Sequence, residues 1–191
     1  YNMVNPATEY RYERKFAIDE VSVHEVLGQL TSHPALFAQA YPPRYVNNIY
    51  FDSHQMCTYY ANMDGLANRL KVRLRWYGDL FGTITNPALE FKLKQGLVGS
   101  KKTFAMEDFV LNQNSDISDL AGWFAQADIE PQFARLLHYV HPTLLNRYYR
   151  QYYISADGQF RVTIDTELEY YRIQPFRNTF LHRTMDRKTT I

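Results

Sequence analysis

Basic side chains recur at every second position of one segment, RLKVRLRWY, which covers residues 69–77. Its basic members are Arg69, Lys71, Arg73 and Arg75, and apolar residues fill the positions between them. Successive side chains of a β-strand point to opposite faces, so the pattern predicts a strand with one cationic face and one apolar face. Such a row of cations is suited to binding anions, and each arginine can donate two hydrogen bonds to one phosphate group.

The cationic row has an electrostatic cost that depends on its surroundings. Like charges two residues apart on a strand are about 7 Å apart. Each pair repels by about 0.6 kcal/mol in water and by about 2 kcal/mol at the effective dielectric of a protein cleft. The row alone therefore allows two interpretations, a solvated sheet face or a cleft in which anions lie opposite the cations.

Three more segments repeat this two-sided pattern, namely YRYERKF at 10–16, LEFKLK at 89–94 and FRVTID at 160–165. In each of them the polar face is basic with an occasional carboxylate. A sheet closed on itself, with its apolar side outward and covered by helices, would bring these faces together as a charged lumen. A salt-bridged sheet face is the alternative.

Helical segments separate the predicted strands. Ser22 and Glu25 form a capping box before the first helix, and Ser53 is predicted to cap a short helix that ends at Met63. A further helix is predicted over residues 120–127, and Pro131 marks the first turn of another.

Further strands are predicted at Tyr45–Asp52, Leu144–Ile154 and Phe160–Leu168, the last two joined by an Asp157-Gly158 hairpin turn. Short connections favour antiparallel pairs. Another strand is predicted to begin at Thr189.

Composition limits the classes of function. The 191 residues suit a single domain over 1–191, and a net charge of +1 argues against a nucleic-acid partner. The single cysteine, Cys57, fits a reducing compartment, so we predict a cytoplasmic location. The sequence contains no run of 18 apolar residues, so no membrane-spanning helix is predicted.

Taken in order, the motifs YERKF, YFDS, RLKVRLRWYG, LEFKLKQG, RYYRQYY and FRVTIDTEL resemble those of a known family. The chain looks like the catalytic domain of the vacuolar transporter chaperone (VTC) polyphosphate polymerases, within the triphosphate tunnel metalloenzyme, or CYTH-like, superfamily. This resemblance implies an α+β fold built on an antiparallel β-barrel with a basic lumen and helices outside. It also implies ATP and polyphosphate as ligands, Mn²⁺ or Mg²⁺ as cofactor, and transfer of the terminal phosphoryl group of ATP to polyphosphate.

The resemblance assigns roles to individual residues. The matching phosphate-clamping catalytic positions are Lys15, Arg73, Arg75, Lys92, Arg150 and Arg161. Further substrate-binding candidates are Lys71, Lys94, Lys101, Lys102 and Arg11. Arg11 stands where the superfamily's first-strand ExExK motif has its first glutamate, a departure that favours the polymerase branch over the hydrolases.

Carboxylates are the candidate metal ligands because Mg²⁺ and Mn²⁺ prefer oxygen. Glu13 and Glu167 are the predicted ligands, whereas Glu90 and Asp165 are predicted to neutralise neighbouring cations in the lumen. Family members end in a LEIK-type strand whose glutamate holds the metal. We expect this strand and its main metal-binding glutamate beyond Ile191.

Three other functions remain open. One is a tripolyphosphatase or nucleoside triphosphatase of the same fold, and another is a polyphosphate- or nucleotide-binding module without turnover. The third is single-stranded nucleic-acid binding through Tyr-rich stretches such as RYYRQYY, against which the low net charge argues.

Overall fold

The computed structural model describes residues 13–96, 98–115, 124, 127–173, 180, 183–186 and 188–191. The strands in them are β1 (Ala17–Ile18), β2 (Ala38–Asp52), β3 (Asn68–Tyr77), β4 (Gly82–Ile84), β5 (Ala88–Gln95), β6 (Val98–Ala105), β7 (Phe109–Leu111), β8 (His141–Ile154), β9 (Arg161–Arg172), β10 (Arg183–Asp186) and β11 (Thr189–Thr190). The helices are α1 (Val23–Thr31), α2 (Cys57–Met63) and α3 (Pro131–Leu137).

Nine strands form one antiparallel sheet in the order β1-β11-β9-β8-β2-β3-β5-β6, with β10 paired to β9. Strands β4 and β7 form a separate pair. This architecture agrees with the predicted antiparallel α+β fold. In the described part of the chain, β1 and β6 end the strand order and no ladder joins them, so the closed barrel is not confirmed. The sheet is nevertheless curled. This is shown by the Glu13 carboxylate, just before β1, which lies 3.9 Å from Nζ of Lys92 on β5.

The apolar face of the sheet forms the core. On β3, Val72, Leu74 and Trp76 are almost completely buried, as their alternation with basic residues predicted. Helix α3 covers this face, where the ring of Phe133 contacts that of Phe91 on β5. Covering one face leaves the basic face free to surround a cavity.

Strand β2 begins at Ala38, seven residues before the predicted start at Tyr45. Pro42 and Pro43 precede the predicted strand, and proline has no N–H to donate to a ladder. The structure keeps both within β2 by shifting the β2–β8 register between residues 41 and 44, so that neither proline is paired. Such irregularities are where strands tolerate proline.

The first predicted strand is displaced along the chain. Among the described residues, pairing starts at Phe16, which exchanges two backbone hydrogen bonds of 2.9 Å with Ile191, and β1 follows it. Glu13 and Lys15 precede this pairing, and residues 10–12, including Arg11, lie outside the described residues. Most of the helix predicted over 120–127 also lies outside them. The strand predicted at Thr189 is confirmed as β11.

One predicted helix cap and one predicted turn are confirmed. Ser22 and Glu25 form the capping box of α1, with each side chain accepting a hydrogen bond from the other residue's backbone N–H. Gly158 adopts a φ of +73° in the β8–β9 turn, a conformation that glycine tolerates well. Local sequence signals of this kind do not depend on the tertiary fold.

The start of α2 differs from the prediction. The Ser53 hydroxyl accepts a hydrogen bond from the Cys57 N–H, but the buried carboxylate of Asp52 accepts three, from the N–H groups of Ser53, Thr58 and Tyr59. Asp52 is only 4% exposed. It therefore joins the end of β2 to the first turn of α2.

Replacing Asp52 with alanine should destabilise the protein by about 2 kcal/mol, because three backbone N–H groups in partly buried hydrogen bonds lose their charged acceptor. Urea denaturation measures the change. Asp64→Ala is the matched control, since Asp64 is an exposed carboxylate at the other end of α2 and should change stability by less than about 0.5 kcal/mol. Equal losses in both variants would contradict the proposed role of Asp52.

Candidate functional site

The basic face of the curled sheet surrounds a cavity of about 390 Å³, which we call the phosphate cavity. Its lining comes from seven strands and from the segment before β1. Of the described lining residues, three are acidic and seven are basic, a formal excess of four positive charges. The basic members are Lys15, Lys71, Arg73, Arg75, Lys92, Lys101 and Arg150.

The strand register places lysines side by side across this cavity. Lys71 on β3 lies directly opposite Lys92 on β5, and Lys92 lies opposite Lys101 on β6. These three residues form the lysine row. Directly opposed Cβ atoms are about 5 Å apart, and like charges at this position are destabilising. An anion bound over the lysine row would relieve the repulsion.

The repulsion appears in the ionisation of Lys71, which is half-buried in the middle of the basic face. Burial lowers its pKa, and the positive charges of Lys15, Arg69 and Lys92 lower it further. Binding a polyanion would counter these charges and favour the ammonium form. An anion bound at Lys71 would therefore be accompanied by proton binding there.

Glu90 is the central counter-charge of β3, β5 and β6. Its carboxylate accepts a hydrogen bond of 2.6 Å from Arg73 Nε, lies 2.6 Å from Lys101 Nζ and lies 4.0 Å from Arg75. Although burial alone raises the pKa of Glu90, the hydrogen bond from Lys101 and the charges of Arg73 and Arg75 outweigh it, so the pKa lies below its usual value. Glu90 thus stays ionised and orients the cations around it, as predicted for a neutralising role.

Arg150 and Asp165 form the corresponding pair on β8 and β9. Nε and Nη2 of Arg150 donate two hydrogen bonds of 2.6 Å to the two carboxylate oxygens of Asp165. The predicted neutralising role of Asp165 is therefore confirmed. This bidentate pair holds the Arg150 guanidinium rigidly at the wall of the cavity.

Arg75 is held mainly by neutral groups. It donates from Nε to the side-chain oxygen Oδ1 of Asn48 at 2.8 Å and from Nη2 to the Tyr148 hydroxyl at 3.3 Å. Asn48 in turn donates to the side chain of Asn146 at 2.9 Å. Neutral partners position the guanidinium without cancelling its charge, which leaves Arg75 able to bind an anion.

The structure brings together most of the predicted site residues. Of the predicted clamps, Lys15, Arg73, Arg75, Lys92 and Arg150 line the phosphate cavity. So do Lys71, Lys101 and Glu13, which were predicted in other binding roles. The assigned roles themselves stay predictions.

Other predicted residues lie elsewhere. Arg161 is exposed opposite Ile154 at the end of the β8–β9 ladder. Lys94 lies on the basic face but one row beyond Lys92, opposite Arg69. Lys102 points to the other face, where its Nζ lies 3.1 Å from the Glu130 carboxylate.

A β-bulge explains the placement of Glu167. The β8–β9 register shifts between residues 147 and 149, and Glu167 adopts a φ of +53° there. Before the bulge Asp165 lines the cavity, whereas after it Leu168 and Tyr170 do. Glu167 is not among the described lining residues, and its carboxylate accepts a hydrogen bond from the Tyr45 hydroxyl. Glu167, which was predicted to bind the metal, therefore does not line this cavity.

Sequence reasoning missed the neutral residues of the site. Tyr50, Asn146 and Tyr148 line the cavity, and Asn48 is buried and accepts a hydrogen bond from Arg75. Asn48 and Asn146 are cross-strand partners, and Asn48 also lies opposite Arg75. Alternation along β2 and β8 could have placed them on the basic face, but only the strand pairing identifies them as partners of an arginine.

The carboxylates of the cavity do not fit a preformed divalent-metal site. Glu90 and Asp165 are each held by basic side chains, and Glu13 lies 3.4 Å from Lys15 and 3.9 Å from Lys92. Among the residues that the structure describes, no three His, Cys, Asp or Glu side chains group so as to hold a metal ion. The Mn²⁺ or Mg²⁺ expected from the resemblance stays a prediction.

Fold and site together define an antiparallel sheet curled around a cavity lined mainly by basic side chains. The model of the VTC domain family matches residues 10–190, and the chain therefore belongs to this family, which confirms the resemblance seen in its motifs. No curated protein matches the sequence. No helix within the described ranges is long and apolar enough to cross a membrane.

Among solved structures, the chain is similar to a Hippeastrum protein described as a proposed adenylyl cyclase with a dominant triphosphatase activity. The sequence identity is 10% and the TM-score is 0.43. The match covers 92% of this chain and 76% of that one.

Lys71→Met should raise the free energy of unfolding by about 0.5 kcal/mol, because it removes like-charge repulsion in the lysine row. The same change should weaken tripolyphosphate binding about tenfold by removing one charged donor.

In the wild type, tripolyphosphate binding should weaken as pH rises through the lowered pKa of Lys71, because the ammonium group loses its charge. The free energy of unfolding should rise over the same pH range, because the repulsion within the lysine row is lost. Chemical denaturation and calorimetry at several pH values measure both effects.

Lys102→Met is the matched control, because Lys102 lies on the opposite face in an exposed ion pair. It should leave tripolyphosphate affinity unchanged. Loss of stability in Lys71→Met without loss of affinity would show that the lysine row serves the fold and not a ligand.

Proposed function

We propose that this chain is a polyphosphate polymerase, which transfers the terminal phosphoryl group of ATP to the end of an inorganic polyphosphate chain. The observation that carries the proposal is the convergence of seven basic side chains on one cavity, three of them as directly opposed lysines. Membership of the VTC domain family supports it.

The reaction places few covalent demands on the protein. A terminal oxygen of the acceptor chain attacks the γ-phosphorus of ATP and forms a new P–O bond, while the bond from the γ-phosphorus to the β,γ-bridging oxygen breaks. The electron pair of that bond leaves with ADP. Catalysis then depends on positioning and on stabilising charge at the equatorial oxygens. Arg73, Arg75 and Arg150, each fixed by hydrogen bonds, are suited to this task.

The test is to incubate the purified protein with ATP and Mn²⁺ or Mg²⁺ and to follow the products by ³¹P NMR. We expect resonances of internal polyphosphate groups to grow together with ADP. Orthophosphate without polymer would instead establish a triphosphatase. Binding of tripolyphosphate without any product would establish a binding module, and the absence of both binding and product would overturn the proposal.

A further inference from the structure

A second cavity, of about 300 Å³, lies beside the phosphate cavity. The two share the lining residues Tyr50, Lys71 and Asn146. The other walls of the second cavity come from α2 and from the adjoining parts of β2, β3 and β8, so we call it the α2 cavity. A ligand long enough to cross the shared residues would occupy both cavities.

The two cavities differ in chemistry. The wall of the α2 cavity is mainly apolar, with Phe51, Met56 and Leu144 among its lining residues. Lys71 is its basic member among the described residues. The lining carboxylate, Asp52, accepts three backbone hydrogen bonds near the start of α2 and is occupied by them. Such a wall would not hold a string of phosphates, but it suits an uncharged ring system.

Helix α2 supplies groups that recognise a ring with polar edges. Tyr59 lines the cavity and is 49% exposed, so its ring surface is available to a ligand. Thr58 and Asn62, also in the lining, offer a hydroxyl and a carboxamide as hydrogen-bond partners. Aromatic rings of this kind stack on nucleobases with little dependence on base identity.

We propose that the α2 cavity holds the nucleoside part of a nucleoside triphosphate whose phosphates lie in the phosphate cavity. This inference rests on the proposed function and adds to it the position of the nucleoside. In this arrangement Tyr59 stacks on the base, and Lys71, at the boundary of the two cavities, meets the phosphates nearest to the ribose. The volume of about 300 Å³ is at the lower end for small-molecule sites and suits one ring system with its sugar partly outside.

The experiment compares two ligands that differ in the nucleoside. ATP and inorganic tripolyphosphate are titrated by calorimetry into the wild type, Tyr59→Ala and Tyr139→Ala. Tyr139 is the matched control, because it is an exposed tyrosine, at 77%, and is not among the described residues that line either cavity, whereas the nearer Tyr60 contacts the Tyr59 ring. Thermal melts confirm that each variant is folded.

We expect Tyr59→Ala to weaken ATP binding about tenfold, the size of one lost stacking contact, and to leave tripolyphosphate affinity unchanged. Tyr139→Ala should alter neither. If both ligands bind the wild type and Tyr59→Ala weakens both equally or neither, the inference fails while the phosphate cavity stands. If neither ligand binds the wild type, the proposed function fails as well.

Discussion

Replacing Arg73 and Arg75 together with alanine should lower the affinity for tripolyphosphate at least about 100-fold and abolish polymer formation. Each guanidinium is fixed at the cavity wall, and their side chains are only 25% and 12% exposed. A hydrogen bond to a charged group contributes about 1.5–3 kcal/mol, so losing two such donors corresponds to roughly two to four orders of magnitude in affinity. Calorimetry and the NMR assay measure the two effects.

The control for this variant is Lys102→Ala, which removes a basic side chain from the opposite face of the sheet. It should leave both affinity and turnover unchanged. Far-UV circular dichroism should show that the double variant is folded. A folded double variant that binds tripolyphosphate with wild-type affinity would show that these arginines are structural and that the phosphate site lies elsewhere.

Replacing Glu90 with glutamine should destabilise the unliganded protein by about 3 kcal/mol, the range measured when one partner of a buried ion pair is removed. The Glu90 residue is 5% exposed, and its charge faces Arg73, Arg75 and Lys101. Glutamine keeps the shape but not the charge, so the three cations lose their common partner. Urea denaturation measures the loss.

Tripolyphosphate should restore part of this stability, because its charges replace the missing carboxylate. The increase in melting temperature on adding the ligand should therefore be larger for Glu90→Gln than for the wild type. Glu130→Gln is the matched control, since its 42% exposed carboxylate pairs with Lys102 outside the cavity and should cost less than about 1 kcal/mol. An equal ligand response in all three proteins would contradict the proposed charge balance.

The pH dependence of stability gives a second measurement of Glu90. Its pKa in the folded protein lies below the ordinary carboxyl value of 4.5, so the ionised form stabilises the fold above that pH. This stabilisation is lost as pH falls through the folded pKa, because both states are then protonated. Glu90→Gln should therefore show a smaller loss of stability on acidification than the wild type. The same loss in both proteins would show that other carboxylates dominate acid unfolding.

Much of the site was predictable because alternation along a strand is a local property. The pattern from Arg69 to Trp76 separated the basic from the apolar face along most of β3, and LEFKLK did the same for β5. The pairings of Glu90 and Asp165 with basic residues also followed from the pattern, since a buried carboxylate among cations must be paired. Errors arose where the backbone departs from regular alternation, as at the bulge that turns Glu167 out of the cavity.

The sequence by itself determined the faces of the strands, the caps and turns near Ser22 and Gly158, and the excess of basic residues on one side of the sheet. Tertiary structure decided which strands are neighbours. The pairing of β2 with β8 joins residues nearly 100 positions apart, brings Asn48 to Asn146, and places Tyr148 within reach of Arg75. It also placed an apolar cavity under α2, next to the phosphate cavity. The physical reason is that side-chain direction follows from the geometry of a single strand, whereas convergence depends on register, bulges and curvature, which arise only when distant strands pair.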